Sequence, residues 1–168
     1  MSDAIFRVFR GDATGGEAGL TYKWSAIRVP AGAAGPTFSA NDSNAARQVV
    51  ATFHKDGRYL FGCIISDGHG NTVKTDIQVE VTQTATSLRI WPSNQAIATN
   101  EKITFHATLY DQFGNRLRHQ PAAAFSILHG SGTINATTGL FSSALFGTAL
   151  IQADDDGLSA TADVQVIA

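Results

Sequence analysis

The chain has one cysteine, one methionine and four prolines among its 168 residues, and 15 % of its residues are charged. The single cysteine, Cys63, excludes a disulfide within the chain. No apolar run approaches the roughly 18 residues that a membrane-spanning helix needs, so we expect no membrane insertion. A net charge of −2, with scattered basic residues, offers no electrostatic surface for nucleic acid, and we expect no such partner.

No segment carries a sustained helical period, and the dominant pattern is alternation of apolar and polar residues between glycine turns. The clearest examples close the two halves of the chain in the same way. Residues 59–67 and 75–81 form one pair of alternating segments around a glycine turn, and residues 147–154 and 160–167 form the other. Repetition of this unit predicts an all-β fold: two Ig-like antiparallel β-sandwich domains in tandem, with almost no helix.

The polar segment of residues 82–86 (TQTAT) predicts a short linker, which places the domains at residues 1–82 and 83–168. Residues 36–46 look irregular, with Phe38 as an anchor. The same alternation predicts the remaining strands at residues 4–9, 20–24, 48–53, 88–90, 103–109 and 122–127, and short strands within 133–142.

Three large or reactive side chains of the first half are predicted to have structural roles. Trp24 shares a strand face with Leu20 and Tyr22, which predicts a core position. Tyr59 follows a glycine turn, which is typical of a corner tyrosine whose hydroxyl bonds to the backbone. Cys63 faces the same side as its apolar neighbours, so we expect a buried, unreactive thiol.

The first half resembles PKD-like domains, which are β-sandwich modules of bacterial surface and secreted proteins. The resemblance is carried by the LTYKW strand at residues 20–24, by ATF with GRY at 51–59, and by ISDG at 65–68. The segment at residues 38–53 also looks like the middle of such a domain.

The second half resembles the group 2 bacterial immunoglobulin-like (Big2-like) domain. The most specific part is the YDQFGN turn at residues 110–115, followed by GTINATTGLF at 132–141. Phe125 stands where the family often has Trp, and Trp91 stands where a small polar residue is usual. Both resemblances imply modules that occur in strings in adhesins and cell-wall proteins, and beside the catalytic domains of polysaccharide-degrading enzymes.

Trp91 is the candidate ligand-binding residue. Leu88 and Ile90 take the inward face of their strand, so alternation directs Trp91 outward, where an indole can stack on a sugar ring or on a partner side chain. The alternative is that Trp91 packs between the two domains, because it lies shortly after the linker.

Calcium is the candidate metal, with Asp12, Glu17, Asp67 and Asn71 as its ligands. The resemblance to PKD-like folds implies that their two loops meet at one end of the sandwich, and Ca²⁺ takes six to eight oxygen ligands. The alternative is ordinary turn chemistry, in which Asp and Asn bond their own backbone. The five histidines are not clustered and are interpreted as non-ligands.

No nucleophile elbow, P-loop or dinucleotide fingerprint is present, so the chain is predicted not to be an enzyme. We expect a non-catalytic spacer or adhesion module of a larger bacterial protein, located outside the cell or at its surface. A glycan- or protein-binding accessory module that uses Trp91 and the end loops is the alternative, and a phage or secretion-system component shares the same fold. Expected partners are neighbouring domains of the parent protein and a polysaccharide or surface protein, with the chain itself monomeric.

No signal peptide precedes the first predicted strand, so the chain is interpreted as a piece of a longer exported protein. A cytosolic protein would have the same feature.

Overall fold

The computed structural model describes residues 2–7 by their backbone, and residues 19–120 and 122–168 in full. The chain divides into two compact units, Met1–Gln83 and Thr84–Ala168. Nearly all of the regular structure is β-strand, and the strands form several antiparallel sheets. The prediction of an all-β, Ig-like sandwich fold with almost no helix is confirmed.

The described residues of the first unit form two three-stranded sheets, with strand orders β1-β4-β3 and β2-β5-β6, and every pairing in them is antiparallel. A 3-10 turn at Asn44–Arg47 leads into β4. The strands are β1 (Ser2–Arg7), β2 (Thr21–Arg28), β3 (Thr37–Phe38), β4 (Gln48–Phe53), β5 (Gly57–Ser66) and β6 (Thr72–Val81).

Aromatic rings fill the core of the first unit. Trp24 is buried, and its Nε1 donates a hydrogen bond to the carbonyl of Ala46 over 2.8 Å, so burial leaves the indole N–H satisfied. The Phe38 ring lies 6.3 Å from that of Trp24 and 5.6 Å from that of Phe61, measured between centroids. The predicted core position of Trp24 and the anchoring role of Phe38 are therefore confirmed.

The second unit contains three sheets, with strand orders β10-β7, β11-β14-β15-β8 and β12-β13-β9. Its pairings are antiparallel except for that of β8 with β15, which is parallel. The strands are β7 (Ala85–Trp91), β8 (Asn94–Ala98), β9 (Lys102–Thr104), β10 (His106–Asp111), β11 (Ala124–His129), β12 (Thr133–Ile134), β13 (Leu140–Ser142), β14 (Gly147–Asp155) and β15 (Leu158–Ile167).

The segment predicted as one strand at residues 103–109 is two strands that belong to different sheets. Phe105 separates β9 from β10, and its amide donates to the carbonyl of Gly139 over 2.9 Å. Gly139 has φ +69°, and a Cβ there would lie 2.3 Å from the Phe105 oxygen, so this close approach requires glycine. The alternation continues through the break because Phe105 faces the core, as do Ile103 on β9 and Ala107 on β10.

Strand β8 was not predicted from the sequence. It follows the cis Trp91–Pro92 peptide, and of its five residues Ile97 is the one that is buried. A single large apolar residue gives no detectable alternation, although the strand pairs with β15 over five positions. The core that these strands enclose is formed by Leu88, Ile90, Ile97, Phe105, Leu109, Ala123, Phe125, Phe141, Ala149, Ile151, Ala153, Ala162, Val164 and Val166.

Candidate functional site

Trp91 ends strand β7 and points away from the core of the second unit. Its side chain is 69 % exposed, whereas Leu88 and Ile90 on the opposite face of the strand are each 7 % exposed. The outward orientation predicted from alternation is confirmed. Across the ladder, Trp91 pairs with His106 of β10, and the two rings stack with centroids 6.3 Å apart and planes inclined by 19°.

The same outward face carries a second aromatic contact. The register of β7 against β10 pairs Arg89 with Thr108, and Ser87 with Tyr110. The Arg89 guanidinium carbon lies 4.5 Å from the centre of the Tyr110 ring, which is a cation–π geometry. We call this surface the ribbon face, and its six residues are Ser87, Arg89, Trp91, His106, Thr108 and Tyr110.

Sequence reasoning identified Trp91 but missed the other three ribbon-face residues that form ring contacts, which are His106, Arg89 and Tyr110. His106 was interpreted as a non-ligand, and Arg89 and Tyr110 were not singled out. These side chains come together because of the register between β7 and β10, and the spacing of residues within one strand does not predict that register. The signal that was available is the outward alternation of Arg89 with Trp91, and of His106 with Tyr110.

Two of the four predicted calcium ligands lie together in the turn between β5 and β6. The Asp67 carboxylate accepts hydrogen bonds from the amides of His69 (2.8 Å) and Asn71 (3.1 Å), and from the Asn71 side-chain amide (2.6 Å). The bond from the Asn71 side chain, followed by that from the His69 amide, lowers the pKa of Asp67. Asp12 and Glu17 lie outside the described residues, so the four-residue site stays a prediction.

Asp111 organises a second turn of the same D-x-x-G-N pattern, between β10 and the segment that follows it. Its Oδ1 accepts from the amides of Phe113 (2.9 Å) and Asn115 (2.8 Å), two and four residues later, as Asp67 does in its own turn. The two turns differ in burial, because Asp111 is 2 % exposed. Throughout the part of the chain that the structure describes, no group of three or more His, Cys, Asp or Glu is arranged to hold a metal ion.

Tyr59 and Cys63 have the structural roles predicted for them. The Tyr59 hydroxyl donates to the carbonyl of Lys55 over 2.8 Å, which makes Tyr59 a corner tyrosine. Burial, and then the negative charge of Asp56, raise the pKa of Tyr59. Burial also raises the pKa of the Cys63 thiol, so little nucleophilic thiolate is present near neutral pH.

Comparison with known proteins gives structural matches without sequence matches. No family model and no curated protein sequence matches the chain. Human CDH23 EC21-23 superposes with a TM-score of 0.54 at 13 % identity, covering 89 % of this chain and 63 % of that one. A protocadherin gammaB7 EC3-6 cis-dimer structure gives 0.53 at 16 % identity, with coverage of 91 % and 41 %. The protocadherin GammaB4 extracellular domain gives 0.50 at 14 %, with 89 % and 29 %.

These similarities show the fold, which is that of Ig-like β-sandwich modules, and the protocadherin GammaB4 structure is described as an extracellular domain. The chain spans less than two thirds of each of these three structures. Among the described residues, no helix is long and apolar enough to cross a membrane.

Proposed function

We propose that the chain is a non-catalytic spacer or adhesion module of a larger exported or cell-surface bacterial protein. In this proposal the first unit is a PKD-like domain and the second a Big2-like domain. Their role is to hold neighbouring domains of the parent protein at a distance or to extend an adhesive stalk. The chain is a monomer that contacts those domains and a surface polysaccharide or protein.

The parallel pairing of β8 with β15 is the observation that best supports a load-bearing role. Residues 94–98 lie beside residues 163–167, near the beginning and at the end of the second unit. The ladder is bracketed by hydrogen bonds from the Asp163 amide to Ser93 (2.8 Å) and from the Thr99 amide to Ile167 (3.0 Å).

Tension between the two ends of this unit loads the parallel pair in shear. One strand is pulled towards its beginning and the other towards its end, so the strands have to slide along each other. The ladder bonds lie across the direction of sliding and share the load, whereas an unzipped ladder breaks one bond at a time. A spacer under tension benefits from this arrangement.

A matched pair of proline variants tests the load-bearing role. Between the two bracketing bonds, the alternation of a parallel ladder directs the Gln95 amide to β15 and the Ala96 amide away from it. Because proline has no N–H, Gln95→Pro removes a ladder bond, whereas Ala96→Pro removes none, and β8 is an edge strand that tolerates it. We expect the unfolding force of the second unit, measured by end-to-end pulling, to fall in Gln95→Pro and to stay close to wild type in Ala96→Pro. Equal forces in all three proteins would contradict the proposal.

A glycan- or protein-binding accessory module is the second candidate, and the 69 % exposure of Trp91 favours it. Because Trp24 is buried, a ligand that changes tryptophan emission acts through Trp91. We expect emission to shift on titration with a polysaccharide and not to shift in Trp91→Phe. Unchanged emission with every glycan tested would remove the motivation for the sugar-binding form of this candidate.

Calcium binding by Asp12, Glu17, Asp67 and Asn71 is a further part of the proposal. Asp67 is ionised near neutral pH, as a calcium ligand must be, and a bound ion would replace the hydrogen bond from the Asn71 side chain. Thermal unfolding in EDTA, in Mg²⁺ and in Ca²⁺ tests it. A rise in Tm specific to Ca²⁺ is expected by linkage, and identical curves would contradict it.

A further inference from the structure

We propose that the ribbon face binds an acidic oligosaccharide, with Trp91 stacked on a sugar ring and Arg89 paired with its anionic group. This assignment rests on the second candidate of the proposed function and adds the class of ligand. The spacer role does not depend on it.

Trp91 supplies the stacking surface. The negative face of an aromatic ring attracts the partly positive C–H groups on the flat side of a pyranose. His106 stacks on the indole from the adjacent strand, with ring centroids 6.3 Å apart, and this contact favours one orientation of the indole before a ligand arrives. Pre-ordering of this kind lowers the entropy lost on binding.

Arg89 supplies the charge. It precedes Trp91 by two residues on the same face of β7, so the two Cα atoms are roughly 7 Å apart along the strand. The guanidinium carbon lies 4.5 Å from the centre of the Tyr110 ring, and a guanidinium held over an aromatic face can still donate N–H groups to a second partner. In the described part of the chain, Arg89 forms no ion pair with a carboxylate.

The composition of the ribbon face favours an anion over a neutral ligand. Its six residues include one permanent cation and one histidine and no carboxylate. A planar guanidinium matches carboxylate, sulfate or phosphate oxygens with two parallel hydrogen bonds.

The size of the ribbon face favours a glycan over a folded protein partner. A stable protein interface uses about 20–30 residues on each side, which is several times what two paired strands present. An extended oligosaccharide contacts a protein through a few stacked rings and polar groups, and a six-residue surface meets that need.

Calorimetric titration of the full chain at low salt tests the assignment. The probes are three acidic hexamers, one built from uronic acids, one sulfated and one phosphate-bearing, together with the uronic hexamer after reduction of its carboxylates to alcohols. We expect at least one acidic hexamer to bind, at least tenfold more tightly than the reduced hexamer, and to bind more weakly as salt is added.

Four variants locate the binding. Trp91→Ala and Arg89→Gln should each weaken binding of the acidic hexamer at least tenfold, and Arg89→Lys should weaken it too, because the charge remains but the planar fork is lost. Phe146→Ala, at an aromatic side chain that is 78 % exposed outside the ribbon face, is the matched control and should bind like wild type. Circular dichroism verifies that each variant is folded.

The outcomes separate this inference from the functions proposed above. Binding of none of the acidic hexamers, or binding that Trp91→Ala leaves unchanged, overturns the inference. A third outcome is that the acidic and reduced hexamers bind equally well, and that Trp91→Ala abolishes this binding while Arg89→Gln leaves it unchanged. That outcome overturns the acidic assignment but is consistent with the second candidate function. None of these results changes the unfolding force that tests the spacer role.

Discussion

Replacement of Asp111 by alanine should destabilise the second unit far more than replacement of Asp67 destabilises the first. In both D-x-x-G-N turns, the aspartate Oδ1 accepts the amides two and four residues later, with distances of 2.8–2.9 Å at Asp111 and 2.8–3.1 Å at Asp67. The turns differ in solvent access, because Asp111 is 2 % exposed and the bonds of Asp67 lie at the surface. For these two backbone hydrogen bonds, the comparison keeps the geometry nearly constant and varies the burial of the aspartate that accepts them.

The expected size of the effect follows from the two donors that lose their acceptor. Both bonds are partly buried and end on a buried carboxylate, and a hydrogen bond to a charged group contributes about 1.5–3 kcal/mol, so Asp111→Ala should lower the free energy of unfolding by about 2–4 kcal/mol. For a unit of this size, that loss corresponds to a fall in Tm of roughly 10–25 °C. In Asp67→Ala, water replaces the carboxylate at the exposed amides, and we expect a much smaller fall.

Differential scanning calorimetry of the full chain measures both variants, and Asp111→Asn is the control because it retains the Oδ1 acceptor. Asp111→Asn should lie well above Asp111→Ala in Tm. Equal losses in Asp111→Ala and Asp67→Ala would refute the reasoning, because burial would then contribute nothing to the strength of these turns.

Four further predictions concern Tyr59, Cys63 and the exposed Trp91. Tyr59→Phe removes the hydrogen bond to Lys55 and should lower the free energy of unfolding of the first unit by about 1 kcal/mol, measured by urea unfolding followed through Trp24 emission. Because folding raises the pKa of Tyr59, the unfolded state loses the hydroxyl proton at a lower pH than the folded state does. The free energy of unfolding should therefore fall as pH rises above about 10, and it should fall less steeply in Tyr59→Phe. Equal dependence on pH in the two proteins would contradict this. Cys63 should react with a thiol reagent after unfolding and not before, and fast labelling of folded protein would show that the thiol is accessible. Acrylamide should quench the emission of the exposed Trp91 and not that of the buried Trp24, so the quenchable part of the emission should be absent in Trp91→Phe. Quenching of both tryptophans would show that Trp24 is in contact with solvent.

The fold was predictable where a strand has one buried and one exposed face. The predicted strand at residues 48–53 coincides with β4, and the outward position of Trp91 followed from the same alternation. Strand β8 was not predictable because Ile97 is its one buried residue, which gives no alternating pattern. The break at Phe105 was not predictable because the alternation of buried and exposed residues continues where the chain passes from one sheet to another.

The candidate site was predictable in part. Alternation places Trp91 on the outer surface of β7, but the contacts of His106 with Trp91 and of Tyr110 with Arg89 depend on the β7–β10 register. Register is set by packing of the whole sheet and by its turns, so a single strand does not specify it. The Asp67 turn was recognised as a turn, and its calcium role stays a prediction because its partners Asp12 and Glu17 lie outside the described residues.

The dependence of unfolding force on pulling direction tests the spacer proposal most directly. Handles at residues 84 and 168 load β8 and β15 in shear. Handles at residues 99 and 168 pull on the same end of both strands, since the Thr99 amide bonds to Ile167, and therefore unzip the pair. With cysteine attachment points in a Cys63→Ser background, we predict a severalfold higher force in shear than in unzipping. Equal forces in the two directions would contradict a load-bearing role for this pair.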